Sequence, residues 1–120
     1  MPRPLVIKVT CGDEDAERCN QAFTVAATAA AAGAEVSLWL TGEAAWLGVP
    51  GRAEAFALPL ATPLAELRDV VREAGTLTVC TQCAGRRGIG PDDVLDGVRV
   101  AGAAVFAEEI LRPDAQAPVY

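Results

Sequence analysis

Short β-branched runs separated by helix-period segments restrict this chain more than any other feature. Leu5-Val6-Ile7-Lys8-Val9-Thr10 ends at Cys11-Gly12 and reads as a buried strand. Asp13 is placed to cap the next helix, whose first turn carries Glu14, Asp15 and Glu17 at the positive end of the helix dipole. Within that helix Cys19, Ala22, Phe23, Ala26, Ala29, Ala30 and Gly33 recur at helical spacing and define an apolar face of mostly small residues, suited to close packing on a sheet. Gly33 ends the helix in the left-handed position that favours glycine, and Glu35 to Thr41 follows as a second strand. Strand, helix and strand in so short a span form one βαβ unit, which requires parallel pairing.

The alternation continues. Gly42 to Ala61 is irregular, with a helical stretch around Glu43 to Leu47 and an apolar stretch at Ala55 to Leu60. Thr62 and Pro63 stand at the cap and first-turn positions of a helix with Leu64, Leu67, Val70, Val71 and Ala74 as its buried face, closed by Gly75. Thr76 to Cys80 is a third strand running directly into a short helix, Thr81 to Arg87, stopped by Gly88. A helical turn from Gly90-Pro91, a short strand at Val98 to Val100 and a last helix at Ala103 to Leu111 complete the order. The tail offers at best an edge strand at Val119-Tyr120. This pattern predicts an α/β fold, a three-layer α/β/α sandwich on a mostly parallel sheet of four to five strands, forming a single domain over residues 1–120.

A chain of 120 residues buries roughly two-thirds of its unfolded surface, enough for one core without staples. No apolar run approaches the ~20 residues of a membrane span, and Leu5-Val6-Ile7 is too short for a signal-peptide core, so a soluble, cytoplasmic protein with no membrane partner is expected. Ten basic against 16 acidic residues give a formal net charge of −6 with no basic face, which argues against nucleic acid as a partner. The sequence has no histidine, which removes Ser-His and Cys-His nucleophile pairs and every His-containing zinc site.

Chemistry then rests on Cys11, Cys19, Cys80 and Cys83, expected as reduced thiols. In a parallel α/β sheet, ligands gather at the carboxyl ends of strands, where Cys11 and Cys80 both lie. Cys80 also precedes a helix, whose free N–H groups favour thiolate over thiol. First and third strands are often neighbours in such sheets, so Cys11 is expected beside Cys80. Cys19 shares a face with Phe23 and reads as core. The pair Cys80-Thr81-Gln82-Cys83 admits several chemistries. Zinc wants a second such pair, and the separation of Cys11 from Cys19 does not make one, so no metal is assigned. A thioredoxin-like dithiol normally opens the first helix after an early strand, but dithiol chemistry remains open on another fold. The third chemistry is a nucleophilic thiolate carrying a sulfane sulfur as a persulfide.

The stretch Thr78-Val79-Cys80-Thr81-Gln82-Cys83-Ala84-Gly85-Arg86-Arg87-Gly88-Ile89 resembles the segment of DsrE/DsrF-like proteins in which a strand ends in cysteine and a short helix ends in Arg-Gly plus an aliphatic residue. The first strand ending near Cys11-Gly12, the alanine-rich helix, Leu40-Thr41-Gly42 and the late Gly97 to Ala104 extend the resemblance. It implies a flavodoxin-like sheet and, for members with the cysteine, sulfur relay between donor and acceptor proteins. The sulfur-carrying position is then Cys80. Relay members often lack a cysteine at the place of Cys83, so its role is not carried over. Cys80 and Cys83 are the expected catalytic residues, with Cys11, Gly12, Thr81, Gln82 and Arg86 as binding residues and no cofactor. Two rivals stay open: a non-enzymatic oligomeric binding subunit, and a dithiol redox protein using Cys80 and Cys83.

Phe56, Leu58 and Leu60 lie in irregular chain and form an exposed patch unless a partner covers them, so a homo-oligomer is expected. The resemblance narrows this to a trimer or hexamer assembled beside the cysteine edge.

Overall fold

The computed structural model describes residues 2–120. Its elements run in the order strand β1 (Pro4–Val9), helix α1 (Ala16–Ala31), β2 (Glu35–Leu40), α2 (Leu64–Ala74), β3 (Thr76–Cys80), α3 (Thr81–Arg86), β4 (Val98–Ala101) and α4 (Ala103–Ile110). Short 3₁₀ turns at Asp13–Asp15, Gly42–Gly48 and Pro91–Asp93 fill the connections. The four strands pair in parallel in the order β1-β2-β3-β4, so each strand lies beside its sequence neighbours. The tail adds a parallel edge beside β1 through bridges at Gln116 and Val119, further upstream than Val119-Tyr120 alone. The main-chain N–H groups of Val6, Lys8 and Thr10 donate to the carbonyls of Gln116, Pro118 and Tyr120.

Side chains alternate across the sheet and divide it into two unlike faces. Ile7, Leu38 and Leu77 share one register row, Val9, Leu40 and Val79 another, and all six are buried in one cluster with Cys19, Ala22, Phe23 and Ala26 of α1 and Leu64, Leu67 and Val71 of α2. The small α1 residues let that helix lie close to the strands, and Gly33 ends it with φ +96°. Lys8, Trp39, Thr78 and Arg99 form a row on the opposite face. That face is crossed by α4, none of whose residues is fully buried. Trp39 meets Phe106 edge-on at 5.3 Å between ring centroids. The Glu109 carboxylate accepts from Ser37 Oγ at 2.6 Å, Trp39 Nε1 at 2.9 Å and Arg99 Nη2 at 2.6 Å. Burial pushes the Glu109 carboxyl up, but these bonds outweigh it and hold the group below the ordinary carboxylate range. Helices therefore cover both sides of a parallel sheet, one side heavily and the other through a polar clamp.

Several local expectations are corrected. Asp13 does not cap α1: a 3₁₀ turn intervenes, and the Glu14 carboxylate takes the Gly12 N–H instead. Thr62 provides no side-chain cap, and α2 begins at Leu64 after Pro63. Val70 and Ala74 lie outside the buried face of α2, and their place is taken by Arg68, only 3% exposed. A charge so buried requires partners. Arg68 donates two bonds to the Glu54 carboxylate, at 3.0 and 2.8 Å, and one to Asp69 at 3.0 Å. The Arg68 bonds hold the Glu54 carboxyl down at about 2, against slight opposition from burial. This clamp draws in the irregular chain before α2: Ala53 is buried and Phe56 packs against the core. The anticipated apolar patch thus shrinks to half-buried Leu58 and exposed Leu60. Among the described residues, no helix is long and apolar enough to cross a membrane.

Candidate functional site

Each parallel strand delivers its carboxyl end to the same edge of the sheet. There a cleft of about 380 Å³ opens between the ends of β1, β2 and β3 and the start of α4. Lys8 and Thr10 come from β1 and its end, Trp39, Thr41 and Gly42 from β2 and its end, and Ala103 and Phe106 from α4. Cys80, Gln82 and Cys83 complete the wall.

The β3–α3 junction sets the thiol. The run Thr76–Val79 builds a strand buried beyond its first residue, while Cys80 at its end is half-buried with extended backbone (φ −64°, ψ 127°), so the chain can turn into α3. Burial pushes the Cys80 thiol up. It is outweighed by hydrogen bonds from the Cys83 N–H, the Cys83 thiol and the Gln82 N–H, with the Lys8 ammonium adding attraction, and the net displacement is downward from 9.0. Cys83 Sγ in turn accepts the Gly42 N–H at 3.2 Å. Arg87 secures the opposite end of α3, donating from Nη1 to the Cys83 carbonyl at 3.1 Å and from Nε to Glu43 at 2.7 Å. Gly42 cannot be replaced cheaply: its φ is +55°, and a Cβ there would stand 2.5 Å from the Thr10 carbonyl oxygen.

The structure gathers only some of the residues expected together. Cys80, Cys83 and Gln82 share the cleft. Thr81 and Arg86 are exposed on α3 and do not line it. Gly12 borders a separate, smaller cleft with Glu43, Trp46, Arg52 and Phe56. Cys11 does not lie beside Cys80, because β2 stands between their strands. Two strand spacings come to about 10 Å, beyond the ~7 Å Cα separation that a disulfide bridges. Cys11 is 5% exposed and is raised first by burial and then by Asp15 and Glu14. Cys19 is fully buried and pushed up to about 12, mainly by burial. At Cys11 the Arg18 charge and the residue's own N–H oppose the rise without reversing it.

Lys8, Trp39, Phe106 and Gly42 belong to the cleft although the sequence reading assigned them no place there. A signal existed for Lys8, the one charge inside the otherwise apolar run Leu5 to Val9. Phe106 had no such signal, since α4 returns to this edge only through tertiary packing.

A parallel α/β sandwich with a cysteine at the carboxyl end of a strand defines a class of thiol-bearing α/β proteins, and the strand order β1-β2-β3-β4 replaces the flavodoxin order 2-1-3-4-5 that the resemblance implied. The profile of the DsrE/DsrF-like family matches residues 5–116, and the chain belongs to that family. Among solved structures, the crystal structure of the YchN protein from E. coli is similar at a TM-score of 0.82 and 16% identity, covering 98% of this chain and 99% of that one, which establishes the shared fold. A comparison with curated protein sequences finds no match.

Proposed function

We propose that the protein is a sulfur carrier or sulfurtransferase that holds sulfane sulfur as a persulfide on Cys80 and relays it to a partner. The observation that carries this reading is the place of the Cys80 thiol, at the carboxyl end of β3 and in the wall of the cleft beside Gln82 and Cys83, and the downward displacement of the thiol from 9.0 supports it. Membership of the DsrE/DsrF-like family supports it. In the loading step the Cys80 thiolate attacks the outer sulfur of a donor persulfide, R–S–SH. The donor S–S bond breaks, R–S⁻ leaves with the electron pair, and Cys80 becomes Cys–S–SH. The same N–H groups that favour the thiolate then favour the persulfide anion. Delivery reverses the exchange towards an acceptor thiol, and a reducing cytoplasmic setting suits both directions.

The closeness of Cys83 supports a resolving or protecting role for its thiol, and it favours the dithiol reading equally. Mass spectrometry after incubation with a sulfane-sulfur donor separates the readings. A gain of about 32 Da on Cys80 is expected for relay; a loss of about 2 Da across Cys80 and Cys83 would instead mean a redox dithiol. An unchanged mass would leave a binding subunit.

Self-association into a trimer or hexamer belongs to the same proposal. Leu60, Leu111 and Val119 are large apolar side chains left exposed, and α4 buries none of its residues fully. Light scattering at low micromolar concentration is expected to give a multiple of three times 12.4 kDa. A stable monomer mass would dismiss the oligomer.

A further inference from the structure

The Cys80 cleft carries a charge opposite to that of the chain around it. Formal net charge is −6, yet among the described residues the only charged side chain lining the cleft is Lys8. The ammonium sits 4.8 Å from the centroid of the Phe106 ring, and among the described residues no carboxylate forms a salt bridge with it. A ring face orients a cation without neutralising it. Arg99, in the same cross-strand row as Lys8, is already engaged by Glu109 and Thr78. Lys8 is therefore an uncompensated positive charge in the same cleft as a nucleophilic sulfur.

Such a charge matters most where two anions must meet. A thiolate repels an anionic reagent, and a cation beside both removes much of that repulsion. A neutral reagent gains nothing comparable. Resting on the relay reading above, we infer that Lys8 makes the Cys80 cleft selective for a small anionic donor of the thiosulfonate class, R–SO₂–S⁻, whose oxygens face the ammonium while its sulfane sulfur meets Cys80. The Cys80 thiolate attacks that sulfane sulfur. Its bond to the sulfonyl sulfur breaks, the sulfinate R–SO₂⁻ leaves with the electron pair, and Cys80 retains the persulfide anion. One S–S bond replaces another, charge is conserved, and no outside oxidant or reductant enters. The cleft, at about 380 Å³, leaves room for a small organic R group against Phe106 and Ala103.

The test compares iodoacetate with iodoacetamide, which attack the same thiolate and differ in charge. Their rate ratio at Cys80 is independent of how much thiolate is present. Lys8→Met keeps the stem against Phe106 and removes the charge; Lys8→Arg keeps the charge and provides a second variant should the first disturb β1. At low ionic strength the iodoacetate-to-iodoacetamide ratio is expected to fall about fivefold in Lys8→Met, to stay near wild type in Lys8→Arg, and to converge in about 0.5 M salt. An unchanged ratio in Lys8→Met would overturn the inference. Loading is then followed by mass with the benzenethiosulfonate anion and with a neutral organic trisulfide. Loading by the anion that slows in Lys8→Met supports the donor class, whereas loading indifferent to Lys8 defeats it and leaves relay standing. No loading by either reagent, with a Lys8-dependent alkylation ratio, sinks relay and the donor class together while upholding the anion selectivity.

Discussion

Alkylation of the native protein with iodoacetamide at pH 8 is expected to modify Cys80 at least about 30-fold faster than Cys19. The magnitude follows from two opposed effects. Cys19 stands at about 12 and Cys80 below 9.0, so the thiolate population of Cys80 is larger by about three orders of magnitude. A less basic thiolate is also a weaker nucleophile, with a Brønsted slope of about 0.5, which returns roughly half of that advantage on the logarithmic scale. The full burial of Cys19 widens the gap again, because the reagent reaches it only when the structure opens. The sign of the pH dependence is fixed as well: the thiolate is the reactive form, so the rate climbs with pH and levels off with a midpoint below 9.0. Cys80→Ser is expected to abolish the fast phase. First labelling at Cys11 or Cys19, located by peptide mass mapping, would show that the site has been misassigned.

The second large effect is on stability. Gly42→Ala is expected to cost about 3 kcal/mol, combining a left-handed backbone for a residue with a Cβ and a steric conflict with main chain. The conflict is with the Thr10 carbonyl oxygen at 2.5 Å, which moves only if the end of β1 moves. For a chain of this length the loss lowers the melting temperature by roughly 10–15 °C. Gly85→Ala is the control: it lies in α3, and a Cβ there meets nothing within 4 Å, so its melting point should change little or rise. Calorimetry on both variants decides the matter, and equal melting points would refute the role given to Gly42. Because the Gly42 N–H also donates to Cys83 Sγ, the variant should disturb the cleft as well as the fold.

What could be read from the sequence was what local periodicity encodes. Thr76-Leu77-Thr78-Val79-Cys80 is an apolar, β-branched run followed at once by a helix-forming hexamer, and the structure turns from strand to helix between Cys80 and Thr81. Gly33, Phe23 and the small face of α1 were legible for the same reason. Strand order is not a local property, and the expected closeness of Cys11 to Cys80 failed on it when β2 took the place between them. Arg68 was missed because its partner Glu54 lies 14 residues away in irregular chain, and no periodicity couples the two. Lys8 sits on the sheet face opposite the main core, at a register position of β1 that only the docking of α4 turns into a cleft wall.

The strand order also dictates how the chain can assemble. Every β1–β4 pairing joins consecutive strands, so the sheet can grow outward by successive short loop closures. The tail is different: Thr10 Oγ1 and N–H both donate to the Tyr120 carbonyl across a separation of 110 residues. Its docking is the longest closure in the molecule and rests on few buried contacts, which makes it the natural first step of partial unzipping. Thr10 also forms part of the cleft rim. Release of the tail therefore unties one lip of the thiol cleft while β2 and β3 stay paired, so cleft-edge amides lose hydrogen-exchange protection well before the sheet centre.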